Sequence, residues 1–179
     1  MAKFPVKKYT ALEMNRARYL AQGNVVSQTP LAAEFTEENP CENGMWVCAN
    51  KANGEIRTLK EEGEMVGIVY TTEKEWGRYE YGLNLHHDVA GNYPRVGIID
   101  LGDTFTSNCF DMGDFGNVEA VEAAMKKLDE TPLYVVPVVG NGRPKLTASI
   151  PVSGAYAQVI KYTTMPNGEK AIKYQVVRV

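Results

Sequence analysis

No two cysteines in this sequence stand as a CxxC pair. Cys41, Cys48 and Cys109 lie far apart, and the only histidines are the neighbours His86 and His87. Zinc sites are built from tight Cys and His pairs, and adjacent residues on a strand point to opposite faces, so no metal site is expected. Three thiols with no disulfide pattern point to reduced, structural cysteines in an intracellular setting. No run approaches the roughly 20 apolar residues of a membrane span. The basic start "MAKFPVKKYT" is not followed by the apolar stretch of a signal peptide, so neither a membrane nor a secretory route is expected. No stretch clusters lysine and arginine as a phosphate backbone would demand, and the net charge is −3. Nucleic acid is therefore not expected as a partner. There is also no internal repeat and no low-complexity segment.

What remains is an ordinary globular composition. Of the 179 residues, 44% are apolar and 23% charged, enough for one domain with its own core. Residues 1–40 read as an N-terminal arm and residues 41–179 as a single β-rich domain. Within the arm, Thr10 and Glu13 have the spacing of a capping box, and Leu12, Tyr19 and Leu20 share a face, which predicts a short helix over 11–22 ending at Gly23. Val25, Val26, Leu31 and Phe35 follow without a period, between Pro30 and Pro40, as in an extended connector.

The body alternates short β-type runs with turn residues. "MWVCAN" and "EIRTLK" flank a turn at Asn53-Gly54, and "EMVGIVYTT" is a further strand whose Gly67 suggests a bulge or a close approach of backbone. "PRVGIIDL", "DTFTSNCF", "LYVVPVV" and "KLTASIPV" continue the pattern, with Pro137 placing its strand at an edge or a bulge and "GNGRP" read as a turn. The clearest hairpin joins "AYAQVIKYTT" to "EKAIKYQVVRV" through "MPNG". A helix near 117–129 interrupts the strands. Asn117 caps it, and Val118, Val121, Met125 and Leu128 form its apolar stripe. The expected fold is mainly β, a β-barrel or β-sandwich of about 8–10 short strands, with one inserted helix and a short N-terminal helix.

Three stretches contain the letters of chemistry. In "RVGIIDLGDTFTSN", Asp100 and Asp103 flank Gly102, but the order Gly-Asp-Thr is the reverse of an aspartic protease motif. A turn in which Asp103 accepts from backbone amides explains them at no further cost. In "FDMGDFGN", Asp111, Asp114 and Asn117 partly match a calcium loop. Positions 3 and 5 of that loop would be Gly113 and Phe115, so a loop leading into the helix is the expected reading. His86, His87 and Asp88 are neighbours, whereas catalytic groups converge from distant segments. No cysteine sits in an activating context. No catalytic, cofactor-binding or metal-binding residue is therefore assigned, and no cofactor is expected. The aromatic segment with Trp76, Tyr79 and Tyr81 is the better candidate for contact with a protein partner, as tyrosine and tryptophan are enriched at interfaces. With Tyr9, Leu12, Tyr19, Leu20, Val25 and Val26 of the arm, these make up the candidate partner-binding residues.

A β-rich, mildly acidic body behind a long arm resembles the capsid decoration, or cement, proteins of tailed bacteriophages. The resemblance rests on "KYTALEMNRARYLAQGNVVSQTPL", "ENGMW", "YPRVGIIDLGDTFTSN" and "MPNGEKAIKYQVVRV". It implies a virion structural protein on the outside of the capsid, made in the host cytoplasm. It would bind the major capsid protein and copies of itself, as a dimer or trimer, with no enzymatic activity. The alternatives are a tail or head–tail junction protein, a small hydrolase using His86, Asp100 and Asp103, and a carbohydrate-binding β domain using Trp76 and the tyrosines.

Overall fold

The computed structural model describes residues 12, 25–50, 52, 54–71, 87–165 and 168–179. Two sheets carry the fold. The larger contains β7 (Thr104–Ser107), β8 (Tyr134–Val138), β9 (Asn141–Thr147), β10 (Tyr156–Thr164) and β11 (Lys170–Arg178), in the order β7-β11-β10-β8-β9. The smaller contains β1 (Val25–Val26), β3 (Trp46–Cys48), β4 (Val66–Val69) and β6 (Val96–Ile98), in the order β1-β6-β4-β3. A two-stranded ribbon joins β2 (Cys41–Glu42) to β5 (His87–Asp88). All these strand pairs are antiparallel. The fold is mainly β as expected, and it is sandwich-like: among the described residues no sheet closes into a barrel.

Side-chain alternation explains how the sheets meet. On β3, Trp46 and Cys48 enter the main core, while Val47 between them enters a second core. The larger sheet supplies Phe105, Val135, Leu146, Ala157, Ile172 and Tyr174 to the main core. Trp46 Nε1 donates to Tyr174 Oη at 3.4 Å, so one polar contact crosses the sandwich. The second core lies on the other face of the smaller sheet, where Leu31, Phe35 and Ile56 cover Val26, Val47, Val69 and Val96. The smaller sheet is thus buried on both faces, which is why "MWVCAN" and "EMVGIVYTT" read as nearly continuous apolar runs. Residues 25–40, read as the end of an arm, are part of this packing.

Helix α1 (Val118–Met125) begins as expected: the Asn117 side chain accepts from the Ala120 amide at 2.8 Å. Val121 and Met125 are buried against the main core, with Val118 and Leu128 partly so. The α-helix is shorter than the 117–129 expected, because the chain passes into turns from Lys126 onward. "GNGRP" is not simply a turn: β9 already starts at Asn141, and the reversal lies at Gly140, with φ +74°. The strand ends at Thr147, so 148–152 is not strand. Among the described residues, "EIRTLK" pairs only through the isolated bridges of Ile56 and Arg57. The expected helix over 11–22 lies outside the described residues except for Leu12, which forms an isolated bridge with Ser107.

Candidate functional site

The stretch with Asp100 and Asp103 is a turn. The Asp103 amide donates to the Asp100 carbonyl at 3.1 Å, and Gly102 between them has φ +88°, the left-handed conformation its position demands. The Asp103 carboxylate is buried and accepts from the Asp100 amide at 2.8 Å, and Asp100 accepts from Leu101 at 2.7 Å. Both acids shape the connection from β6 to β7. His86, which a hydrolase site would need beside them, lies outside the described residues.

The other acids are similarly committed. Asp111 accepts from Asn141 Nδ2 at 2.9 Å and Asp114 from Thr147 Oγ1 at 2.6 Å, so both tie the loop before α1 to β9. Gly113 lies so close to β9 that a Cβ there would sit 2.0 Å from the Leu146 carbonyl oxygen. Asp88 accepts from Thr71 Oγ1 and Asn92 Nδ2, and His87 stands 3.4 Å from Glu37. Among the described residues, no group of three or more His, Cys, Asp or Glu side chains is placed to hold a metal. No helix among them is long and apolar enough to cross a membrane.

Two expected partner-binding residues turn inward. Leu12 is fully buried in the main core and Val26 is buried in the second, so each packs its own domain rather than facing a partner. Val25, their exposed companion, lies on the edge strand β1. Tyr9, Tyr19, Leu20, Trp76, Tyr79 and Tyr81 lie outside the described residues.

The surface that stands out was not among the expected candidates. A groove of about 590 Å³ opens where the segment 59–66, the end of β8 and the loop 149–155 meet. Its origin is local. β8 pairs with β10 only through Tyr134 and Val135, and next comes Val136. Pro137, one residue further, has no N–H to extend the ladder, and the β8–β9 register shifts across it. The chain entering β10 therefore diverges from β8 and leaves a gap. Val136, Pro137 and Val139 form one wall, Ile150, Val152 and Ala155 the other, and Leu59 and Val66 lie between.

Several of these apolar side chains face water. Ile150 is 64% exposed and Val152 93%, and Val139 is 49% exposed. Completely covering one such side chain contributes about 1.5–3 kcal/mol. Contiguous exposed aliphatic surface of this kind marks sites that bind other molecules. The groove is also held firmly. Arg57 grips Glu64 with both terminal nitrogens, at 3.1 and 2.5 Å, and Glu64 accepts from the Lys60 amide at 2.8 Å. The hydrogen bond from the guanidinium holds the Glu64 carboxyl down at about 2. The Gly140 amide donates to the Leu59 carbonyl at 2.7 Å, which fixes the β8–β9 tip to the same segment. Glu62 accepts from Ser153 Oγ across the groove.

The sequence signal for this site is weak. "SIPVSG" places Pro151 between two aliphatic residues, with serines and a glycine outside them. That flanking marks a loop, and aliphatic residues on a loop are left without a core to enter. As a continuation of "KLTA" the same letters read as strand, which hides the exposure. Comparison of the chain with protein-family models, curated proteins and solved structures gives no match.

Proposed function

We propose that this chain is a structural protein of a bacteriophage virion. It binds the outer surface of the capsid lattice and bridges neighbouring capsid subunits, without carrying out a reaction. Its partners are the major capsid protein and further copies of itself, and its place is the capsid exterior after assembly in the host cytoplasm. The observation that supports this reading best is the braced groove with Val139, Ile150 and Val152 exposed around it. It suits docking of protein, whereas Asp100, Asp103, Asp111 and Asp114 serve turns and loop attachments. The choice of a capsid as the partner comes from the resemblance to decoration proteins. A protein of this kind stabilises a lattice by binding the mature state better than the immature one, and repeated weak contacts add up through multivalency.

The test is co-sedimentation of the purified chain with phage heads stripped of it. Saturable binding in a fixed ratio to the major capsid protein is expected, together with a higher melting temperature of the heads. Recovery of the chain only with tails, or no binding to heads at any concentration, overturns the proposal.

A further inference from the structure

We propose that the groove between β8 and the loop 149–155 receives the N-terminal segment, residues 1–11, of a second copy of this chain, so that copies join head to tail. This deepens the lattice-binding reading and rests on it for its setting: it names the occupant of the same groove.

Charge and chemistry favour this occupant. Residues 1–11 contain Lys3, Lys7 and Lys8 and no acid, with Phe4, Val6 and Tyr9 among them. The groove offers the complement. Its walls are aliphatic, and its 59–66 side carries Glu61 and Glu62, both exposed, while Glu64 is already held by Arg57. Lys145 also lines the groove and Arg178 donates to the Val152 carbonyl, so the acidic side of the groove is the 59–66 segment. Val6 and Phe4 supply apolar side chains for the gap, and the lysines stay at the wet rim beside the glutamates. Pro5 in the segment and Pro137 in the wall each lack an N–H. The contact is therefore made by side chains rather than by a continuous ladder.

The topology favours a second copy over the chain's own segment. Leu12 is locked in the main core and bridges Ser107 of β7. Leu12 thus lies at the β7 edge of the larger sheet, whereas the groove lies at β8, with β11 and β10 between. The intervening strands place Lys161 opposite Lys173, which repels a segment bearing three lysines. A donor site at one edge and an acceptor groove towards the other make a heterologous contact. Such contacts build rings or open chains, the geometry a bridging protein uses on a lattice.

The test uses the full chain and two variants. Val152→Asp places a charge in the groove at a side chain that is 93% exposed, so folding is expected to be unchanged by circular dichroism. Lys7→Glu with Lys8→Glu reverses the segment's charge. Sedimentation velocity over a wide concentration range should show reversible association of the unchanged chain, weakened by salt. Each variant alone should associate more than ~10-fold more weakly. The decisive sample is an equal mixture of the two variants. Each retains one intact half, so head-to-tail docking predicts that the mixture stops at dimers, at concentrations where either variant alone is still monomeric. A chain that stays monomeric throughout, variants that associate like the unchanged chain, or a mixture that stays monomeric overturns the proposal. A monomer in which Val152→Asp speeds proteolysis of residues 1–11 also overturns it, by placing the segment in its own groove. Binding to stripped heads is read separately: monomers that bind heads refute this inference alone, and associating chains that ignore heads refute the lattice reading alone.

Discussion

At the residue scale, the fold depends on a few positions where space or hydrogen bonding leaves no choice. Gly67 lies on β4 at the side of the second core, where a Cβ would sit 2.5 Å from Val96 Cγ1 and 2.8 Å from Ala49 Cβ. The close approach expected from a glycine inside a strand is what the structure contains. Gly67→Ala must push Val96 aside in a closely packed layer, and a loss of about 1–3 kcal/mol is expected in denaturant unfolding. Asp103 makes a similar case with polarity in place of volume. Its buried carboxylate accepts from the Asp100 amide, and Asp103→Ala leaves that amide without this acceptor. A cost of about 1–3 kcal/mol is expected, read as a lower urea midpoint.

At the scale of elements, caps and loop clamps decide where strands and helices stop. Asn117 starts α1 by accepting from Ala120, and Asn117→Ala should cost about 1 kcal/mol, measurable as a lower midpoint with an unchanged slope. The Arg57–Glu64 clamp shapes the segment 59–66 and gives it a pH dependence. The folded-state value of Glu64, about 2, lies below the ~4.3 of a free glutamate, so its contribution is complete above that unfolded value. It is lost as pH falls from there through about 2. The two side chains are 10% and 14% exposed, so solvent screens the pair only in part. Stability of the unchanged chain should decline over that window, and Glu64→Gln should flatten part of the decline. An identical acid profile for the two proteins would show that the clamp contributes nothing. The helix and the terminal hairpin β10–β11 were legible in the sequence because each is a local pattern: a cap with an apolar stripe, and two alternating runs around "MPNG". The start of β9 was not, because Asn141 and Gly142 resemble turn residues and are held in strand by pairing with β8.

At the scale of the whole molecule, the three cysteines report on integrity. Cys41, Cys48 and Cys109 are all buried and none is in a disulfide, and burial pushes the Cys41 thiol up. Thiol reagents should therefore label the folded chain at a rate set by opening of its structure, and label quickly once it is unfolded. Rapid labelling of the folded chain would contradict the two-core arrangement. That arrangement also explains why residues 25–40 look like an arm in the sequence. Leu31 and Phe35 show no period, since they cover a sheet face as a loop, and Val26 lies on the two-residue strand β1, too short to show alternation.

The sequence by itself determined the class of the fold, the position of the helix, the terminal hairpin and the turn at Asp100–Asp103. These follow from alternation, capping and turn chemistry among residues near one another in the chain. Only the tertiary structure decided that the smaller sheet is covered on both faces, that Leu12 and Val26 point inward, and that a groove opens beside Pro137. Those features depend on which distant segments meet, and a residue's exposure is settled by what lies across from it. Ile150 and Val152 could as well have been core residues; they face water because the chain entering β10 diverges from β8 at a proline that cannot continue the ladder.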